Sequence, residues 1–247
     1  MLREEFVAGL RTFFAGGPDR QGGGDGPLVC LLHGYGAHGE DLAGLWRVLD
    51  VPRQVRFAFP EAPLSLAEVF GFPAYAWWHV DVERYAQLAI GHRTQQQMLR
   101  ALEPLLDEEP AGLSGARAQV LAWLAALRQR LGLPANRVVL GGFSQGAMLS
   151  VDVALHLGEP LAGLLLLSGA LVNRRAWQQR LNQAPPVPRF QSHGLEDPLL
   201  PFAVGEALHQ FLEPVWPGTL YRFHGGHEIS PGVVDEMGRA ITAWVGT

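Results

Sequence analysis

Short apolar runs that close on Gly, Pro or Ser recur along the chain, and helix-type stretches separate most of them. The apolar runs fall at 28–32, 55–59, 138–140, 161–167, 187–191 and 219–223, and the clearest helix-type stretches at 116–131, 145–157, 202–212 and about 232–245. Near-continuous apolar strands alternating with helices predict an α/β architecture, a mostly parallel central sheet with helices on both faces. The Gly-rich stretch 16–26 lies too near the N-terminus to divide two domains, so it reads as a surface turn between an N-terminal strand and the strand at 28. One domain over 1–247 is expected, long enough to bury a core without disulfides or metals.

Composition removes whole classes of chemistry. All 19 basic residues are Arg, so a pyridoxal Schiff base, a Walker-type phosphate loop and a Ser–Lys dyad are excluded. The net charge of −5, with Arg scattered, offers no basic stripe to nucleic acid. Cys30 is the single cysteine and sits inside an apolar run, where it reads as a structural thiol. Acidic residues follow Met1, and the longest strongly apolar stretch, 161–167, is too short to span a bilayer. A cytoplasmic protein with no stable membrane insertion is expected.

One strand runs straight into Gly142-Phe143-Ser144-Gln145-Gly146 and then into a good helix former. Small residues on either side of a serine at a strand–turn–helix junction let backbones approach closely. They also hold the hydroxyl clear of the sheet, beside a helix N-terminus. Ser144 is therefore the candidate nucleophile. A partner acid and a histidine follow in the order this architecture requires. Asp197, in Ser192-His193-Gly194-Leu195-Glu196-Asp197-Pro198, lies on a turn past the strand at 187–191, with Glu196 as its competitor. His227, in His224-Gly225-Gly226-His227-Glu228, follows the strand at 219–223, with His224 as its competitor. Acyl transfer also needs two backbone N–H groups aimed at the forming oxyanion. One is expected from Gln145, the other from Tyr35 in His33-Gly34-Tyr35-Gly36; His33 is expected to order that loop.

These segments, with Glu40-Asp41-Leu42 and Gly226-His227-Glu228-Ile229, resemble the carboxylesterase / acyl-protein thioesterase / lysophospholipase family of α/β-hydrolases from about Leu28 onward. The resemblance implies the α/β-hydrolase fold, triad roles for Ser144, Asp197 and His227, oxyanion roles for the amides of Tyr35 and Gln145, and no cofactor or metal. It departs in two places. Trp77-Trp78-His79-Val80-Asp81 stands where the family commonly has Trp-Phe-Asp, and about 82–113 is longer, as an insertion or cap-like segment. Trp78, from the aromatic cluster that also holds Phe70, Phe72, Tyr75 and Trp77, and Leu199 after the acid are candidate pocket walls.

The reading is a serine carboxylesterase. It cleaves small-molecule esters or thioesters of uncharged short to medium acyl chains through an acyl-enzyme. The alternatives are a non-catalytic protein of this fold that binds a small hydrophobic ligand, or a lysophospholipase or acyl-protein thioesterase. A metal hydrolase is disfavoured, because His224 and His227 straddle two glycines and no H-E-x-x-H occurs.

Overall fold

A computed structural model describes residues 2–81 and 94–246. At the N-terminus Ala8 and Gly9 both take positive φ (45° and 84°), the two-residue turn that matches strand twist. Strand β1 (Arg3–Val7) thereby folds back on β2 (Leu10–Gly16) in antiparallel register. The chain continues through β3 (Leu28–Leu32), β4 (Arg56–Pro60) and a separate antiparallel ribbon of β5 (Leu64–Ser65) and β6 (Tyr75–Ala76). Then come β7 (Val138–Phe143), β8 (Gly163–Leu167), β9 (Arg189–Gly194) and β10 (Gly218–Phe223). The main sheet has eight strands in the order β1-β2-β4-β3-β7-β8-β9-β10, all parallel from β4 to β10.

Period-two alternation sorts the strands' side chains into two cores. Leu28, Cys30, Leu32, Val138, Leu140, Leu164 and Leu166 enter one; Val29, Leu31, Val139, Leu165 and Leu167 enter the other. The first is covered by α3 (Leu113–Leu131), α4 (Gln145–Leu157), α5 (Arg174–Leu181) and α6 (Phe202–Leu212), which follow α1 (Ala67–Phe70) and α2 (Gln95–Asp107) in the chain. The second is covered by a 3-10 turn over Ala43–Arg47 and by α7 (Pro231–Val245). This is the α/β-hydrolase fold expected from the sequence. Asp152 of α4 is fully buried, and its carboxylate accepts from Arg117 of α3 (2.9 Å) and Trp177 of α5 (2.7 Å), tying three helices together. Burial pushes the Cys30 thiol well up from its ordinary value, so it stays an inert core group.

The site's location follows from strand order. After β3 the chain crosses to β4 on one side, and after β7 it crosses to β8 on the other, so the adjacent C-terminal ends of β3 and β7 bound a crevice. Strand β9 outruns its expected end at 191 and continues through buried Ser192 and His193 to Gly194, carrying polar groups to the same edge. Of the expected insertion at 82–113, residues 82–93 lie outside the described residues. The part that follows includes α2, whose Leu102 packs with Ala170, Leu200 and Val204. Among the described residues no helix is long and apolar enough to cross a membrane.

Leu165 is wholly buried in the second core, within a central strand. Leu165→Ala is expected to lower stability by about 2–5 kcal/mol, read from the urea unfolding midpoint.

Candidate active site

Ser144 sits between β7 and α4 with φ 54° and ψ −116°, a conformation that L-residues rarely hold. Its N–H donates to the Leu167 carbonyl on β8 (2.8 Å). The flanking glycines are a packing requirement. A Cβ on Gly142 would meet the Leu32 carbonyl oxygen at 2.4 Å, and one on Gly146 would meet it at 2.0 Å. The loop after β3 lies against the same turn, since a Cβ on Gly34 would meet Ser144 Cβ at 3.4 Å.

The acid and histidine candidates sort into two pairs. Asp197 Oδ2 and His227 Nδ1 are 2.6 Å apart, the carboxylate buried and the imidazole nearly so. Glu196 and His224 pair with each other on the surface at 3.0 Å, and Glu196 also accepts from the Gly225 amide (2.6 Å). The His227 ring packs against Phe143, the residue before Ser144, with ring centroids 4.7 Å apart. Burial on its own would raise the Asp197 carboxyl. The bond to His227 and those from the Leu200 and Leu199 amides to Oδ1 (2.8 and 2.9 Å) outweigh it and hold the group below the ordinary carboxylate range. Asp197 therefore stays ionised, and its orientation is fixed through both oxygens.

His193 is a member of this cluster that the sequence reading missed. Its side chain is buried, and its Nε2 lies 2.7 Å from the Leu200 carbonyl and 3.5 Å from Asp197 Oδ2. A proton on Nε2 satisfies both acceptors and leaves Nδ1 facing Gly205, where a Cβ would come within 2.2 Å. Burial lowers its pKa and keeps it neutral. The signal was present as the polar Ser192-His193 pair directly after the expected strand at 187–191, but such a pair ordinarily reads as the start of a loop.

Gln145 follows Ser144 directly, and Tyr35 follows Gly34 in the loop packed against the turn. Gln145 opens α4, where a first-turn amide lacks an intrahelical acceptor. Its buried side chain donates from Nε2 to the Trp78 carbonyl and accepts at Oε1 from the Trp77 amide, both at 2.9 Å. Tyr35 precedes Gly36, whose φ of 81° turns the loop and whose N–H donates to the Tyr75 carbonyl (2.9 Å). His33 orders the same loop. Its Nδ1–H donates to the Gly34 carbonyl (2.8 Å), its Nε2 accepts from the Ala62 amide (3.0 Å), and burial lowers its pKa to about 4.

Trp78 and Leu199, the expected pocket walls, differ in exposure. Trp78 is buried in the same core as Trp77, its Cβ 3.1 Å from where a Cβ on Gly112 would stand, so its meeting with the site is through its carbonyl. Leu199 is 60% exposed beside Asp197. Neither borders the open groove of about 510 Å³ that runs from His227 and Phe143 along Leu42, Leu45 and Val48. Among the described residues no group of His, Cys, Asp and Glu is arranged to hold a metal ion.

Residues 23–245 match the phospholipase/carboxylesterase family. The chain belongs to that family. It is 39% identical over 189 residues to acyl-protein thioesterase 1 of Cryptococcus neoformans, covering 74% of this chain and 71% of the relative. With acyl-protein thioesterase 1 of Eremothecium gossypii the identity is 27% over 215 residues, 83% of each chain. Among solved structures, esterase PE8 superposes with a TM-score of 0.74 at 27% identity, over 98% of both chains. Family and fold make this phospholipase/carboxylesterase member a hydrolase.

The His33 geometry sets a pH dependence. In the unfolded chain an ordinary imidazole protonates near about 6.5, whereas folded His33 holds off until about 4. Between those values the unfolded state binds more protons, so stability falls as pH is lowered through that window and the loss levels off below it. His33 should account for a loss on the order of 3 kcal/mol. His33→Gln should be less stable at pH 7 and show a flatter decline, measured as urea midpoints from pH 7 to 4.

Proposed function

We propose that the chain is a serine hydrolase that cleaves carboxylic esters, and thioesters such as those named for its relatives, through an acyl-enzyme formed on Ser144. The observation that carries this reading is the buried 2.6 Å pair of Asp197 and His227, whose imidazole packs against Phe143 on the turn that strains Ser144. His227 takes the Ser144 proton at Nε2 as Oγ bonds to the substrate carbonyl carbon. Asp197 stays ionised, fixes the imidazole tautomer and stabilises the imidazolium. The amides of Tyr35 and Gln145 donate to the oxyanion. Collapse expels the alcohol or thiol, which takes the proton from His227; water then repeats the sequence to release the acid. Every proton and electron pair has a place among these groups, so the chemistry needs no cofactor.

One domain over 1–247 carries this chemistry, with the stretch following residue 93 bordering the acid loop through α2. The favoured acyl groups are uncharged and short to medium. Supporting this, exposed Phe70 and Phe72 meet edge to face (5.6 Å), and Phe70 meets Tyr35 (6.4 Å), so apolar surface lies beside the proposed oxyanion amides. A purely binding role for a hydrophobic ligand is not favoured, because it leaves the strained serine and the ionised buried carboxylate without a purpose.

Ser144→Ala should lower kcat on a p-nitrophenyl ester by roughly 10³-fold or more with an unchanged melting curve. Asp197→Asn should cost on the order of 10²–10⁴ in kcat with a modest change in KM, while Glu196→Gln stays active. An inactive Glu196→Gln beside an active Asp197→Asn would overturn the assignment of the acid.

A further inference from the structure

We propose that the open groove beside His227 is the leaving-group subsite, shaped for an uncharged apolar alcohol or thiol and closed to anionic ones. This rests on the serine-hydrolase reading and adds which half of the substrate lies where. Chemistry sets the side. The proton that His227 takes from Ser144 has to be delivered to the leaving oxygen or sulfur, so that atom comes within hydrogen-bond reach of the imidazole. Nδ1 is held by Asp197, which leaves Nε2 for the transfer. A chain attached to the leaving atom therefore continues past the ring, and the groove of about 510 Å³ begins at that ring.

The lining defines the chemical class. Leu42, Leu45, Val48, Phe143 and Ile229 supply apolar walls, and Val48 is 63% exposed, free to meet a chain. The charged groups in the lining are Asp41 and Glu228, both carboxylates, and no Arg joins them among the described residues. Past Gly44 a neighbouring depression holds Glu4, Glu40 and Arg47, and the Arg47 guanidinium lies over the Trp46 ring at 5.6 Å. An anionic leaving group thus meets two carboxylates before any cation, whereas a neutral chain meets aliphatic surface. The site works in both directions. An alcohol bound there attacks the acyl carbon, passing its proton to His227; the C–Oγ bond breaks, Ser144 regains the proton, and a new ester leaves.

The test holds the acyl group at butyrate and varies only the alcohol: ethyl, hexyl and 6-phosphonooxyhexyl esters, with ethanol and hexanol also offered as acceptors to the butyryl-enzyme. Ethanol and hexanol are leaving groups of similar reactivity, so binding decides between them. The hexyl ester should exceed the ethyl ester about 10-fold in kcat/KM, and hexanol should exceed ethanol similarly in partitioning. The phosphorylated ester should fall roughly 10-fold or more below the hexyl ester. Val48→Asp should cut both hexyl preferences about 3-fold or more, with the same melting temperature and an unchanged profile across acyl lengths on ethyl esters. A flat alcohol series, or a Val48→Asp effect confined to the acyl series, overturns the proposal. Fluorophosphonate labelling of Ser144 separates the two levels: labelling with a flat alcohol series removes only the subsite, and no labelling of folded protein removes the serine reading beneath it.

Discussion

Much of the molecule is arranged around a single unfavourable backbone conformation. Ser144 at φ 54° costs on the order of 1–3 kcal/mol, and it persists only because its surroundings leave no alternative. The Leu167 carbonyl holds its amide from one side. On the other side the backbones of Gly142 and Gly146 press on the Leu32 carbonyl, nearer than any side chain allows. That contact requires β3 to neighbour β7, which in turn brings the loop carrying His33, Gly34 and Tyr35 to the serine. The strand order, the glycine spacing and the position of the proposed oxyanion loop are consequences of one turn.

Burial then separates two chemically similar acid–histidine pairs. Glu196 and His224 meet in solvent, where an ion pair contributes little to stability. Their value is geometric: Glu196 also holds the Gly225 amide, fixing the loop that leads to His227. Asp197 and His227 meet where water is largely excluded. Both Asp197 oxygens are engaged there, one by two amides and the other by His227, with His193 close behind. Removing a donor from such a buried carboxylate costs more than removing one in water, so the inner pair is stiff and the outer pair is adjustable.

What could be read in advance follows the same division between local and distant causes. The strand at 28–32 and the helices at 145–157 and 202–212 keep their expected bounds, since apolar periodicity and flanking Gly and Pro act locally. The serine turn is local too, written in the glycines two residues on either side of Ser144. Helix α5 was not legible because only Trp177 and Leu181 anchor it, one i,i+4 pair in an otherwise polar stretch. The Gly-rich 16–26 segment is held by the buried Arg56 guanidinium, which donates to the carbonyls of Gly24 (2.7 Å) and Gly26 (2.8 and 2.5 Å), a partner 30 to 32 residues away. The pocket is less legible for a similar reason. Composition marks aromatic residues as wall candidates, but which ring faces a cavity depends on the packing around it, and Trp78 is buried in the first core.

The electrostatics of the site have a consistent direction. The proposed oxyanion position is served by backbone amides and the N-terminus of α4, and His33 beside it is kept neutral by burial. Negative charge that develops there meets fixed dipoles, which need no reorganisation and attract a free anion less than a side-chain cation would. On the far side of His227 the fixed charges are the carboxylates Asp41 and Glu228. An anion approaching the serine therefore finds weak attraction at one end and repulsion at the other. A neutral ester loses nothing on entry, and it becomes charged only at the point where the dipoles converge. On the proposed reading, selectivity for uncharged substrate and stabilisation of the charged transition state share one cause, dipoles rather than side-chain cations at the turn; among the described residues Arg117, Arg47 and Arg56 are held elsewhere, in an ion pair, a ring contact and a carbonyl clamp.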